Sequence, residues 1–435
     1  MAAEWLSFTV RRREAVLVAP AEPTPHEFKE LADVDFQGTT RLQISGIWFY
    51  RGNMGMGVGA DPARVIKEAL SKALVFYYPF AGRIRGGVDG RRPVVECTGE
   101  GVLLAEADAD IRLDQFGDAL LPPIPCSEQL LQNVDGSEGL YDTPLLLIQV
   151  TRLRCGGFAM GVRLNHILSD AAGLLQLLKA TAELARGAPR PTLLPVWQRY
   201  LLQARDPPQV SYAHREYDEE EPVKFEDSVL RSFFLRREDL RALKSRLPGD
   251  MQKITSFDLL TACVWRCRIA ALRLDPAQRV RAMAIVTGRG RCSAVVPPGY
   301  YGNSFAHPVA LSTAGELCGN PLAYAVQLIS KAKSEMTTEY LRSTADLIAV
   351  KGSATYTSSI GSMIVSDLRQ LGLRELNFGW GDAVLSTPMH ADEVAHFYFH
   401  YTNTKGEEGV VVMLRLPAPA MERFAEEMGT MMKDC

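Results

Sequence analysis

Two segments of this chain place a histidine four residues before an aspartate, His166 to Asp170 and His214 to Asp218. A neutral imidazole can take the proton of a hydroxyl as its oxygen attacks a carbonyl carbon, then hand that proton to the departing group. A carboxylate four residues on need not relay the proton; it can hold the turn in shape through an ion pair with a distant arginine. With seven histidines in the chain the spacing alone carries little, and context has to separate the two. His214 lies in a charged, proline-containing stretch centred on Asp218-Glu219-Glu220-Glu221-Pro222, where a solvated surface histidine is expected. His166 follows the apolar run Gly157 to Leu164 and precedes the small-residue turn Ser169 to Gly173. That puts it at a strand end, where buried sites are commonly built. The bland alternative, a core histidine with Asp170 as the N-cap of the next helix, fits the local pattern equally well.

Other residues invite the same weighing. In Asn377-Phe378-Gly379-Trp380-Gly381 two glycines flank a tryptophan, which suits a backbone path that few other residues follow. A structural turn around a buried aromatic accounts for that segment too. Thr287-Gly288-Arg289-Gly290-Arg291 is followed by Tyr300-Tyr301-Gly302-Asn303; its arginines would suit either a phosphate or a structural ion pair. His396 and His400 are four apart, but Phe397-Tyr398-Phe399 between them reads as strand and no convincing acidic or cysteine ligand joins them or His390, so no metal is expected. Cys263 and Cys267 share a helix face and read as core packing.

The elements that must position these residues are legible in outline. Asp61-Pro62 before Val65, Ile66, Ala69, Leu70, Ala73 and Leu74 gives an N-cap, a first-turn proline and an apolar stripe, hence a helix. Leu145 to Leu153 and Gly157 to Leu164, joined by Arg154-Cys155-Gly156, read as a hairpin. A second helix runs from about Leu174 to a stop at Gly187. Further on the expectations are a helix over Ser256 to Leu272, a strand near Val280 to Val286, a helix after Pro321, a strand Val410 to Leu416 and a last helix from Pro417. Strands and helices interleave throughout, which predicts an α/β architecture with mixed sheets. At 435 residues the chain exceeds what one core usually supports, so two domains are expected, 1–204 and 228–435, with 205–227 as the linker.

Composition excludes several classes of function. A net charge of -3 gives no reason to expect nucleic acid or an anionic membrane as partner, and no window approaches a membrane span. Eight scattered cysteines without paired CxxC blocks fit a reduced setting. Met1 to Pro20 has no apolar core of a signal peptide. A cytoplasmic protein is expected, with peroxisomal delivery open if further residues follow Cys435.

Taken together, His166 to Asp170 in mid-chain, Asn377 to Gly381 towards the end and Tyr300 to Asn303 between them resemble the plant BAHD acyltransferases. Phe8-Thr9-Val10-Arg11-Arg12, Phe76 to Arg83 and Gly409 to Val412 extend the likeness over the whole chain. Leu145 to Phe158, Leu193-Leu194-Pro195-Val196-Trp197 and Asp170-Ala171-Ala172-Gly173 resemble the benzyl alcohol O-benzoyltransferase branch. The resemblance implies two chloramphenicol acetyltransferase-like domains, mixed sheets flanked by helices, and a channel between them. It implies a monomer that uses acyl-CoA as co-substrate, with no permanent cofactor and no metal. By similarity His166 is the base and Asp170 is structural, paired with Arg289 or Arg291. Asn303, Gly379, Trp380 and Gly381 support the site, and Lys253, Thr255 and Ser256 meet CoA. Asn377 stands where the family has aspartate, so an ion pair is exchanged for neutral hydrogen bonds, with reduced rigidity at most. The activity implied is transfer of a benzoyl or related aromatic acyl group to benzyl alcohol or a similar small alcohol. A hydroxycinnamoyl or amine-directed transferase and a catalytically silent ligand-binding relative are the alternatives.

Overall fold

The computed structural model describes residues 6–52, 60–86, 92–133, 139–218, 227–251, 253–352 and 359–433. Two large sheets organise it. The first runs in the order Val10–Arg12, Val102–Ala109, Leu146–Leu153, Phe158–Asn165, Gln43–Tyr50 and Leu385–Pro388, with Val16–Val18 also on the 102–109 strand. Only the 102–109 and 146–153 strands are parallel; the other pairs are antiparallel. The second sheet runs Ser228–Arg236, Glu408–Pro417, Ala395–Thr402, Ser362–Asp367, Arg279–Ala284 and Val309–Thr313.

The expected hairpin forms, and both of its strands are buried almost end to end. That is why they read as continuous apolar runs rather than alternating ones. Helix Pro62–Phe76 starts where Asp61 accepts from the Ala63 amide at 3.3 Å, and Asp61 also takes a bidentate bond from Arg152 at 2.7 Å. It packs against helix Ala171–Ala185, and together they cover the first sheet with a core that includes Leu70, Leu74, Leu177 and Leu178. Helices Ser256–Leu272, Leu322–Ser334 and Ala418–Lys433 do the same for the second sheet around Trp265, Val326 and Phe424. A third apolar cluster, including Ile47, Phe49, Leu385, Phe399, Val411 and Met413, draws on strands of both sheets.

Two features depart from the reading of the sequence. Leu385–Pro388 follows residue 228 in the chain yet pairs with Gln43–Tyr50 at the edge of the first sheet. The stretch read as a linker is docked over its described part. Arg205 binds Asp346 and Glu339 on helix Thr338–Lys351, and His214, Glu216 and Tyr217 are buried. Acidic residues 219–222 lie outside the described residues. The expectation of a solvated His214 is therefore corrected. Its Nδ1 lies 2.8 Å from Glu216 Oε1 and its Nε2 2.8 Å from Ser343 Oγ, so both ring nitrogens are satisfied and burial costs little.

Candidate active site

The 158–165 strand carries His166 to its end, where the His166 amide donates to the Leu42 carbonyl at 3.0 Å. Asp170 then starts helix Ala171–Ala185 as its N-cap, one carboxylate oxygen accepting from the Gly173 amide at 2.9 Å. The other oxygen takes Arg289 Nη1 at 2.6 Å and the Ser304 amide at 3.3 Å. Arg289 spends its second Nη on the carbonyls of Gly302 (2.7 Å) and Tyr300 (3.2 Å). Of the two arginines proposed from sequence, Arg289 is thus the partner, and Arg291 is exposed. Both Asp170 oxygens are committed to the turn, and a residue so engaged shapes the backbone rather than shuttling protons.

Further residues, distant in sequence, clamp the same turn. Asn303 Nδ2 donates to the His166 carbonyl at 2.9 Å, to that of Ile167 at 3.2 Å and to Asp35 Oδ1 at 2.8 Å. Arg199 binds both Asp35 oxygens at 2.8 and 2.9 Å and gives its other Nη to the Leu168 carbonyl at 2.6 Å. This ion pair is buried completely, and the guanidinium lies over Trp197, 4.5 Å from its ring centroid. Buried charges persist when paired and hydrogen-bonded, and here the bonds of the pair and of Asn303 converge on the carbonyls around His166. Sequence reasoning found Asn303 but missed Asp35 and Arg199, because no local spacing links positions 35, 199 and 303. Ser169 closes the turn by donating to the Tyr301 carbonyl at 2.5 Å. A Cβ at Gly173 would collide with that same carbonyl, so the fourth residue of Asp170-Ala171-Ala172-Gly173 has to be glycine.

The side chain of His166 is half-buried on the wall of a cavity of about 410 Å³. Ile44, Gly46 and Trp48 line it from the first sheet, Leu174 and Leu175 from the helix, Ile364 and Phe397 from the second sheet, and Ser386 to Pro388 from the exchanged strand. The volume and mostly apolar wall are those of a small-molecule site. Nδ1 of His166 is shielded from solvent. Burial holds the imidazole pKa below its usual value, and the nearby Asp170 charge and Asn303 only partly oppose that effect; the ring is neutral at neutral pH and competent as a base. Phe305 lies 5.8 Å from the His166 ring and 5.3 Å from that of His307. Burial, reinforced by His166, depresses His307 to about 3, so His307 adds no positive charge near the His166 ring.

His390 also lines the cavity, whereas Lys253, Thr255, Ser256, Gly379, Trp380 and Gly381 lie off its wall. Thr255 is the N-cap of helix Ser256–Leu272, in a reciprocal box with Asp258; Lys333 binds both, at 3.0 and 2.6 Å. Ser256 Oγ accepts from Arg369 at 3.3 Å, and Lys253 is exposed. Trp380 packs edge-on against Phe158 at 5.5 Å, while Phe378 packs on Tyr50 at 6.1 Å. The loop thus anchors to the first sheet. Gly379 and Gly381 have φ of 110° and 78°, which favours glycine. Asn377 Oδ1 accepts from the amides of both, at 2.8 and 3.1 Å, and its carbonyl takes a bond from Arg186. The neutral hydrogen bonds expected of Asn377 are these, made within its own loop.

A family profile described as the Transferase family matches residues 7–431. The chain is 50% identical to the benzyl alcohol O-benzoyltransferase of Petunia hybrida and equally to that of Nicotiana tabacum, in each case over 98% of this chain and 95% of the relative. It is 48% identical to the 13-hydroxylupanine O-tigloyltransferase of Lupinus albus, over 98% and 96%. Among solved structures, vinorine synthase superposes with a TM-score of 0.76 at 21% identity, covering 97% of this chain and 98% of that one. F. sporotrichioides TRI101, solved with coenzyme A and T-2, gives 0.69 at 18%, over 92% and 97%. These two likenesses show a shared α/β fold.

Proposed function

Because the chain belongs to the BAHD branch of the Transferase family, we propose that it is a CoA-dependent O-acyltransferase, moving a benzoyl or related aromatic acyl group onto benzyl alcohol or a similar small alcohol. The observation that carries this reading is His166: a histidine kept neutral on the wall of an apolar cavity, with its flanking carboxylate turned away to Arg289.

On this reading the imidazole of His166 accepts the proton of the alcohol as the alcohol oxygen attacks the thioester carbonyl carbon. The new C–O bond forms and the carbonyl electrons move onto oxygen. Collapse of that tetrahedral species breaks the C–S bond, and His166 returns the proton to sulfur, giving an ester and free CoA thiol. Asp170, Arg289, Asn303, Asp35 and Arg199 hold the backbone so that the imidazole meets its substrates in one geometry. Acyl-CoA is the co-substrate, and Lys253, Thr255 and Ser256 are kept as proposed CoA contacts. No described helix is long and apolar enough to cross a membrane; the proposed setting is the cytoplasm. We read 1–204 and 228–435 as two units joined by 205–227, in support of which the strands divide between two sheets, save for the exchange of Leu385–Pro388.

Purified protein given benzoyl-CoA and benzyl alcohol is expected to release thiol and form the ester, and His166→Ala to bring release near background. Full activity in that variant would overturn His166 as the base.

A further inference from the structure

Strand Gln43–Tyr50 forms one wall of the cavity, and two of its residues depend on each other in a way the proposed chemistry does not require. Trp48 is 4% exposed, and its indole N–H donates to the Leu373 carbonyl at 3.0 Å, which fixes the ring. A Cβ built at Gly46 would lie 3.3 Å from two atoms of the six-membered ring of that indole, Cη2 and Cζ3. The indole therefore leans back along the strand over Gly46. The backbone of Gly46 is not in the left-handed region, so its lack of a side chain serves space rather than conformation. Both residues line the cavity.

The direction of that lean matters. Gln43 pairs with Asn165 and Gly46 with Val162, and the Leu42 carbonyl accepts from the His166 amide. The base thus sits just beyond the Gln43 end of the strand, towards which the indole points. Three residue steps along the strand separate Gln43 from Gly46, roughly 10 Å at ~3.3 Å per residue. His166 and Trp48 line the same cavity, so a six-membered ring carried on a carbonyl or hydroxyl held at His166 has the indole within the space open to it.

We propose that Trp48, held over Gly46, is the specificity-determining surface of the cavity, a flat aromatic wall that selects substrates carrying a planar ring next to the reacting centre. This rests on the transferase reading above and adds the feature that separates aromatic from linear substrates. The ring can arrive on the acyl group or on the alcohol, and the two arms of the test separate these sources. An offset or edge-on contact with an aromatic wall is worth about 0.5–1.5 kcal/mol beyond area burial, and a linear chain of equal size gains none of it.

The test compares kcat/KM for benzoyl-CoA against hexanoyl-CoA with butanol as acceptor, and for benzyl alcohol against hexanol with acetyl-CoA as donor. In Trp48→Leu the ring preference is expected to fall about 3- to 10-fold in at least one arm, which identifies the source of the ring. In Trp48→Phe, which keeps the flat face and loses the bond to Leu373, most of the preference is expected to remain. Gly46→Ala crowds the indole and is expected to lower turnover of ring-bearing substrates at least 3-fold more than that of linear ones. Thermal unfolding of each variant identifies the folded proteins, and the ratio is read only in those. An unchanged ratio in folded Trp48→Leu or folded Gly46→Ala overturns the proposal while leaving the transferase reading intact. Absence of transfer by the parent protein with every pair overturns both.

Discussion

The two HxxxD segments share a spacing and nothing else. At His214 both ring nitrogens are bonded, to Glu216 and Ser343, and Glu216 Oε1 also accepts from the Tyr340 hydroxyl at 2.8 Å; the imidazole is a completed piece of packing. At His166 it is the backbone that is completed, through Asn303, Arg199 and Asp35, while the side chain borders a cavity. Asp218 pairs with exposed Arg215 and Arg279, whereas Asp170 is locked to Arg289 and to the start of a helix. The same spacing thus gives a closed packing unit at His214 and, at His166, a ring held on a cavity wall by a fixed main chain.

That contrast can be broken most directly by alanine at each histidine. His166→Ala is expected to lower thiol release about 10²- to 10⁴-fold, the usual contribution of a positioned base, with little change in unfolding temperature. Asp170→Asn keeps the shape of the turn but removes the charge facing Arg289. It is expected to cost about 3 kcal/mol in denaturant unfolding and about 10-fold in kcat, and wild-type stability in this variant would show the ion pair to be idle. His214→Ala is expected to reverse the pattern of His166→Ala. Kcat should stay within twofold, while stability drops by about 1–3 kcal/mol because buried Glu216 and Ser343 each lose one of their partners.

Titration sharpens the same contrast. Burial sets the His166 pKa below the ordinary histidine value of about 6.5. On the proposed mechanism the neutral form is the active one, so kcat/KM should hold through pH 6.5 and fall only below it; a midpoint above 6.5 would contradict a neutral imidazole base. Burial, ahead of other causes, also depresses His307 and His396 to about 3. Their folded values lie below their unfolded ones. The stability they confer is therefore present above pH 6.5 and lost as pH falls from about 6.5 towards about 3, which urea unfolding across that window measures. The smallest effect belongs to Asn377→Asp. A carboxylate oxygen can accept from the Gly379 and Gly381 amides as the amide oxygen does, so a change within about 0.5 kcal/mol is expected.

Local signals were readable and distant ones were not. Asp61-Pro62 marked its helix, the uninterrupted apolar runs marked the hairpin, and the small residues after His166 marked the turn, because caps, periodicity and steric room act over a few residues. The family resemblance narrowed the partner of Asp170 to Arg289 or Arg291, and the structure pairs it with Arg289. Asp35 and Arg199 left no trace, since their pairing depends on three segments meeting in space. The acidic stretch after His214 suggested solvent, yet helix Thr338–Lys351 supplies Ser343, Glu339 and Asp346 to receive the segment before it. Charge composition describes a surface only when no other element comes to cover it. Trp48 reads as one more core aromatic until the empty position at Gly46 is seen beneath it.

Strand Leu385–Pro388 has a mechanical consequence. It leaves the half of the chain that builds the second sheet, zips onto the first through four residue pairs with Phe49, Trp48, Ile47 and Gly46, and returns. Clamshell opening would have to unzip those pairs and tear the apolar seam around Leu385, so the two sheets are latched.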